Sequence, residues 1–248
     1  MRLQLSELGV RFGERTAITG INAGIDGGRI IAVLGPNASG KTTLLRTIAG
    51  LQLPSQGSVE LDGARVDRMS PHDRASKLAW VPCVAEVAGS FTIRRVVELG
   101  RYAIGPSTTR VDDALARVDL LDRSESTWFT ASAGMRQRTA IARALAQRTP
   151  GGMLVLDEPT SALDLRHLKL MGELLRQCAT DGDIVVAAMH DIAFAMELAD
   201  EVLVLRDGQL VLAGETHAVL TPSSLGDVFG VDLAWAKDDA GKRHLVIP

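Results

Sequence analysis

Gly35-Pro36-Asn37-Ala38-Ser39-Gly40-Lys41-Thr42 is the stretch on which the reading of the chain turns. Before it runs Ile30-Ile31-Ala32-Val33-Leu34, with the length and β-branched content of a buried strand. After it, Thr43-Leu44-Leu45 belongs to a helix predicted from Thr42 to Ala49 and ended by Gly50. Strand, G-x-x-x-x-G-K-T, helix is the context in which a phosphate-cradling loop works. Gly35 and Gly40 permit backbone conformations and close approaches that a Cβ blocks. Successive N–H groups, from about Ala38 to Thr43, can then turn toward phosphate oxygens, helped by the positive end of the helix. Lys41 supplies a point charge for the β and γ phosphates, and Thr42 a hydroxyl for Mg²⁺. A chance glycine-rich turn would leave the flanking strand and helix unexplained. The stretch predicts a nucleoside triphosphate site.

At 248 residues the chain is long enough for one large domain with a sizeable core. A formal charge of −3 gives no electrostatic footprint for nucleic acid or an anionic membrane. The two cysteines, Cys83 and Cys178, are far apart and suit a reducing compartment better than a disulfide framework. Met1 to Glu7 alternates like a strand and lacks the apolar centre of a signal peptide. No uncharged apolar run is long enough to cross a bilayer. These features predict a soluble, cytoplasmic protein that reaches a membrane only through a partner.

Residues 1–34 read as short antiparallel strands punctuated by Gly9, Gly13, Gly20 and Asp26-Gly27-Gly28. Phe12 lies in this part, either as a base-stacking face or as an ordinary core phenylalanine. Ser58 to Gly63 reads as a strand entering an Asp-Gly turn, Ser70-Pro71 as a helix start, and Leu78 to Val81 as a buried strand. Between about Thr92 and Gln147 the texture is helical: a short helix stopped at Gly100, a second over Val111 to Val118, and a third from about Gly134 to Gln147. Ser124 to Thr130 reads as a polar loop carrying Trp128 and Phe129. The α/β pattern resumes at Met153-Leu154-Val155-Leu156-Asp157-Glu158, a buried strand with two acids at its carboxyl end. Ile184 to Ala188 is another buried strand, ending at Met189-His190-Asp191, and Asp207-Gly208 turns a hairpin. A last small hairpin is predicted around Asp239-Ala240-Gly241.

A buried strand does not cheaply finish in two unpaired carboxylates. Beside a triphosphate, Asp157 would hold Mg²⁺ with Thr42, and Glu158 would polarise an attacking water as general base. The alternative is a capping or turn pair. His190 would contact the γ phosphate and position that water; alone, such a residue is more often a hydrogen-bonded structural histidine, and its weight comes from the constellation.

In this order the pieces resemble the nucleotide-binding subunit of an ATP-binding cassette (ABC) transporter over nearly the whole chain. Gly35–Thr42 matches that family's Walker A motif, Met153–Thr160 its Walker B motif, Ser161-Ala162-Leu163-Asp164 its D-loop and His190 its switch histidine. Ala131-Ser132-Ala133-Gly134-Met135-Arg136-Gln137-Arg138 resembles its signature motif, and Phe12 falls where the family has its adenine-stacking aromatic. The resemblance implies an α/β fold of the P-loop NTPase type, an ABC ATPase core with an antiparallel β subdomain and an inserted helical subdomain. The whole chain would be one such domain, with helices at about 92–147 and a C-terminal hairpin at about 231–247. ATP and Mg²⁺ would bind between the Walker motifs of one protomer and Ser132 and Gly134 of the other, in a head-to-tail homodimer. Integral-membrane permease subunits would be direct partners, a substrate-binding protein an indirect one, and nucleic acid none. Phe91 to Tyr102 and Asp227 to Asp232 further resemble importers of iron-siderophores, haem and vitamin B12.

Two positions depart from the family pattern. Cys83 stands where the family has a glutamine that helps bind Mg²⁺ and couples to the membrane subunit, and a thiol is a poor ligand for a hard cation. The signature usually reads Leu-Ser-Gly-Gly-Gln; Ala133 adds a methyl and Met135 lacks an amide. A degenerate cassette acting as a regulatory or structural partner fits those departures. A soluble cassette in DNA repair or on the ribosome would carry modules this sequence lacks. A small-molecule kinase would explain Gly35–Thr42 but not Ser132, Gly134 or His190.

Overall fold

The computed structural model describes every residue except Ala240 and Lys242, and the backbone but not the side chain of Arg243. The predicted hairpin tip at Ala240 therefore lies outside the described residues. The first half of the chain forms β1 (Arg2–Phe12), β2 (Arg15–Asp26), β3 (Arg29–Leu34), α1 (Lys41–Ile48), β4 (Gln56–Leu61), β5 (Ala64–Arg65), α2 (Pro71–Lys77) and β6 (Leu78–Val81). Helices α3 (Ile93–Glu98), α4 (Thr108–Arg117) and α5 (Ala133–Gln147) follow. Then come β7 (Met153–Asp157), α6 (Leu165–Thr180), β8 (Ile184–Ala188), α7 (Ile192–Leu198), β9 (Glu201–Arg206) and β10 (Gln209–Glu215). The chain closes with α8 (Thr216–Val219), α9 (Pro222–Phe229), β11 (Ala234–Lys237) and β12 (Arg243–Val246).

Two main sheets organise these elements, and β11 and β12 pair as a separate antiparallel hairpin. The larger has the order β10-β9-β3-β8-β7-β6. Its strands from β9 to β6 are all parallel, and β10 adds an antiparallel edge through the Asp207-Gly208 hairpin. The smaller is antiparallel, with the order β2-β1-β4-β5. Residues of β3 alternate between two cores. Ile30, Ala32 and Leu34 face a cluster that includes Ile93, Leu115, Ile141, Leu175 and Leu198. Ile31 and Val33 face a second, with Leu44 and Leu45 of α1 and Leu3, Leu5 and Ile18 of the antiparallel sheet. Burial on both faces is why β3, β7 and β8 read as continuous apolar runs.

The helices between β6 and β7 are tied back to the larger sheet by polar contacts. Gln147 Nε2 donates to the carbonyls of Ala75 (3.0 Å) and Leu78 (2.8 Å). Arg148, just past α5, donates to the fully buried Asp183 and to Asp181. Both carboxylates hold its guanidinium well above the usual range against the opposing effect of burial. Asp183 also accepts from the Gly152 N–H at 3.1 Å, so the charge is paired and hydrogen-bonded.

Three local expectations are corrected. Gly9 and Gly20 do not divide residues 1–34 into short strands: β1 and β2 run for 11 and 12 residues, and register shifts between Leu5 and Arg11 absorb the irregularity within the ladder. Gly100 does not stop a helix. It lies inside a 3₁₀ turn, Leu99–Arg101, where an added Cβ would fall against the Arg143 carbonyl of α5. Residues 124–130 are not uniformly polar in setting, since Trp128 is buried while Phe129 is 84% exposed.

The Gly100 contact gives a test of packing. Gly100→Ala should destabilise the protein by about 1–3 kcal/mol through overpacking against α5. Chemical denaturation followed by circular dichroism reads this; an unchanged midpoint would show that the two segments can separate without cost.

Candidate functional site

Because β3, β6, β7 and β8 are parallel, their carboxyl ends open on one edge of the sheet. That edge carries the chemistry in open α/β sheets. From the end of β3 the chain enters the loop at Gly35, whose φ of 143° and contact with the Leu205 carbonyl leave no room for a side chain. Ala38 adopts φ 63°, and Gly40 adopts φ 103° as the N-cap of α1. A Cβ on Gly40 would come within 2.6 Å of Ile18 Cγ2 and 2.9 Å of the Ala17 carbonyl. The two glycines thus let the loop wrap against β9 on one side and β2 on the other. Alternating φ signs of this kind turn backbone N–H groups into a concave nest.

Lys41 is buried and lies back along its own loop, donating to the carbonyls of Gly35 (2.8 Å) and Pro36 (3.0 Å). Burial lowers its pKa, opposed by the charges of Glu158 and Asp157. Thr42 Oγ1 donates to Asp157 Oδ1 at 3.2 Å, joining the start of α1 to the end of β7. Asp157 is 3% exposed, and desolvation pushes its carboxyl up, with Glu158 adding to the rise and the Thr42 hydrogen bond and Lys41 opposing it.

Glu158 leaves the strand with φ 52°, a conformation that a non-glycine residue rarely takes. Its Oε1 lies 2.5 Å from His190 Nε2, beyond the end of β8. Its Oε2 accepts from Cys83 Sγ at 3.6 Å, beyond the end of β6. A cleft of about 430 Å³ opens beside these groups, lined by Arg15 to Ala17, Asn37 to Thr43, Glu158, Asp207 and Gly208. Lys41, Thr42, Asp157, Glu158 and His190 therefore stand together at one edge of the sheet.

Phe12 is not a core residue: it is 51% exposed at the end of β1, opposite Arg15 across the turn. Ser132 is separate from the cleft within one chain. Its hydroxyl accepts from the Met135 N–H at 3.2 Å as the N-cap of α5 and is exposed. A Cβ on Gly134 would approach the Ala162 carbonyl to 2.8 Å, whereas Ala133 is exposed. Met135 packs against the core on the helix-covered face of the sheet. Arg15, Thr16, Ala17, Asp207 and Gly208 line the cleft without having been singled out in the sequence. Asp207-Gly208 signals only a hairpin. Its place at the cleft follows from tertiary hydrogen bonds, Gly208 N–H to the Ser39 carbonyl (3.1 Å) and Thr19 N–H to the Gly208 carbonyl (2.9 Å).

The site fits a phosphate chain with a hard divalent cation. Ser39 Oγ is buried without a hydrogen-bond partner among the described residues, the loop from Asn37 to Thr43 lines the cleft, and the Thr42 and Asp157 oxygens are a hard donor pair.

Fold and site together define a P-loop nucleotide-binding cassette. Residues 13–161 match the family described as ABC transporter, and the chain belongs to that family. It is 37% identical to a Halobacterium salinarum "Cobalamin import ATP-binding protein BtuD", the match covering 100% of this chain and 64% of that protein's length. It is 39% identical to a Nocardia farcinica "Hemin import ATP-binding protein HmuV", covering 94% of this chain and 83% of that protein. Among solved structures, it resembles a chain of "a putative metal-chelate type ABC transporter" in an inward-facing conformation with a TM-score of 0.82 at 26% identity, covering 98% of this chain and 96% of that one. Among the described residues, no helix is long and apolar enough to cross a membrane.

The raised Asp157 pKa has a sign that can be tested. Above its folded pKa the ionised, desolvated carboxylate opposes folding; that penalty fades as pH falls through the folded pKa. Asp157→Asn should therefore raise the melting temperature of the nucleotide-free protein at neutral pH, with a gain that shrinks on acidification. Thermal melts across pH check this, and an equal or lower neutral-pH melting temperature would count against the assignment.

Proposed function

We propose that the chain is the ATP-binding and ATP-hydrolysing subunit of an ABC importer, acting as a head-to-tail homodimer beneath integral-membrane permease subunits. Its place would be the cytoplasmic face of the cell membrane. The cargo class is iron-siderophore, haem or cobalamin, delivered to the permease by a substrate-binding protein. The relatives' printed names support that class, and the sequence resemblance supports the partners. The observation that carries the reading is the convergence of Lys41, Thr42, Asp157, Glu158 and His190 on one sheet edge around the cleft.

In this reading, N–H groups of Ala38 to Thr43 and the start of α1 cradle the phosphates, and the Asn37 and Ser39 side chains line the same loop. Lys41 releases its own loop carbonyls to meet the β and γ phosphates. Thr42 and Asp157 would hold Mg²⁺, which supplies charge neutralisation on the phosphates when bound. Glu158 takes a proton from the water that attacks the γ phosphorus, and the bond to the ADP oxygen breaks. His190, hydrogen-bonded to Glu158, holds that carboxylate in place and faces the transferred phosphoryl group. Phe12 stacks on the adenine. From the partner, the Ser132 hydroxyl, the Gly134 backbone and the α5 N-terminus close over the γ phosphate; all three lie at one exposed helix start.

Steady-state turnover of the purified chain, alone and with its permease in proteoliposomes, tests the reading. Lys41→Ala should weaken Mg-ATP binding by about tenfold or more, since a charge-assisted contact is lost. Glu158→Gln should keep binding and lose about 10²- to 10⁴-fold in kcat, the range of general-base catalysis. It should also accumulate an ATP-bound dimer by size exclusion. Parent-like turnover in Glu158→Gln would remove Glu158 from the mechanism.

A further inference from the structure

Three neighbouring strands, β8, β7 and β6, present His190, Glu158 and Cys83 in a row beyond their carboxyl ends. Glu158 sits in the middle, and its two oxygens face different neighbours. Oε1 meets His190 Nε2 at 2.5 Å, and Oε2 meets Cys83 Sγ at 3.6 Å, within range for a sulfur donor. We propose that Cys83 is a positioning residue for Glu158: its S–H donates to Oε2 and, with His190 on Oε1, fixes the rotation of the carboxylate. The inference rests on the reading of Glu158 as general base.

The chemistry of both partners supports this direction of donation. An ionised carboxylate accepts only, so a proton between the two groups must sit on sulfur. Burial, with the nearby charges of Glu158 and Asp157, pushes the Cys83 thiol up to about 11, so it stays protonated near neutral pH. A thiolate there would repel Glu158, and a deprotonated nucleophile is not available for other work. The need for a second anchor is geometric. Glu158 stands just outside the sheet ladder at φ 52°, where strand pairing no longer fixes its side chain. One hydrogen bond from an imidazole that is itself half-exposed leaves the carboxylate free to swing about that contact; a donor on the opposite oxygen removes that freedom. Cys83 suits the post because it is half-buried and follows Pro82, whose ring restricts the backbone leaving β6.

Two measurements test the proposal, and only one needs turnover. With the parent active and Glu158→Gln inactive, Cys83→Ala should lower kcat by about threefold to tenfold, as expected for one positioning hydrogen bond, with KM for Mg-ATP unchanged. Cys83→Ser, which keeps a donor, should recover most of the loss. A parent-like kcat in Cys83→Ala, an equal loss in both variants, or a change confined to KM would overturn the role. The second reads the contact itself. Among the S–H stretching bands of the full chain, the one deleted by Cys83→Ala should move to higher frequency in Glu158→Ala, because its acceptor is gone. A band that does not move would overturn the hydrogen bond whether or not the chain hydrolyses ATP. A moving band in a parent that shows no turnover would keep the contact and place the failure in the functional reading instead.

Discussion

Everything at the site depends on β3 being buried on both faces. Its alternate residues enter different cores, Ile30, Ala32 and Leu34 on one side and Ile31 and Val33 on the other. Fully burying one such side chain is worth about 1.5–3 kcal/mol, so a slip of one residue would exchange the occupants of two close-packed interiors at once. The strand is fixed in register between β8 and β9, with Val33 opposite both Ala188 and Leu203. The loop that leaves it at Gly35 is thereby placed against the Leu205 carbonyl. Register in the core sets the position of the loop at the surface.

The same sheet explains how residues far apart in sequence meet. Asp157 pairs with Ala188, so the ends of β7 and β8 stand level and set Glu158 beside His190. Val81 pairs with Leu156, which brings Cys83 to the other side of Glu158. No loop has to reach across the molecule. The cost is local: Ala38 and Glu158 both take positive φ, a sparsely populated region for residues with a Cβ. Each is followed or faced by a group the proposed chemistry uses: Glu158 directly follows the buried β7 ladder, and Ala38 lies in the loop between β3 and α1.

Much of this was legible in the sequence, for physical reasons. Parallel strands buried on both faces leave continuous apolar runs, and Ile30–Leu34, Met153–Leu156 and Ile184–Ala188 were readable as such. The helix start at Ser70 was readable because its side chain accepts from the backbone three residues on, a purely local event. What escaped depends on tertiary approach. Gly100 resembles a helix stop, yet its small size serves contact with Arg143 some forty residues away. Gly9 and Gly20 look like breaks because bulges in a ladder carry the same residues as turns. Asp207-Gly208 declares a hairpin and nothing about the cleft its tip completes.

The two departures from the family pattern also look different once placed. Met135 lacks an amide, but its side chain joins the apolar core beneath α5, while the start of that helix is still capped by Ser132. Ala133 is exposed, and the tight approach within the chain falls on Gly134 beside Ala162, where glycine is kept. Cys83 gives up a hard oxygen but places a weak donor on Oε2 of Glu158. Met135 meets an apolar core and Cys83 a carboxylate acceptor, while the Ala133 methyl stands in solvent without crowding its own chain. Consistency of that kind is what separates a sequence adapted around its departures from one that has merely lost a function. It also locates where any weakness must lie. The phosphate loop and the Thr42–Asp157 pair are untouched by either departure, so binding of the nucleotide stands apart from the rate at which a water is activated beside it.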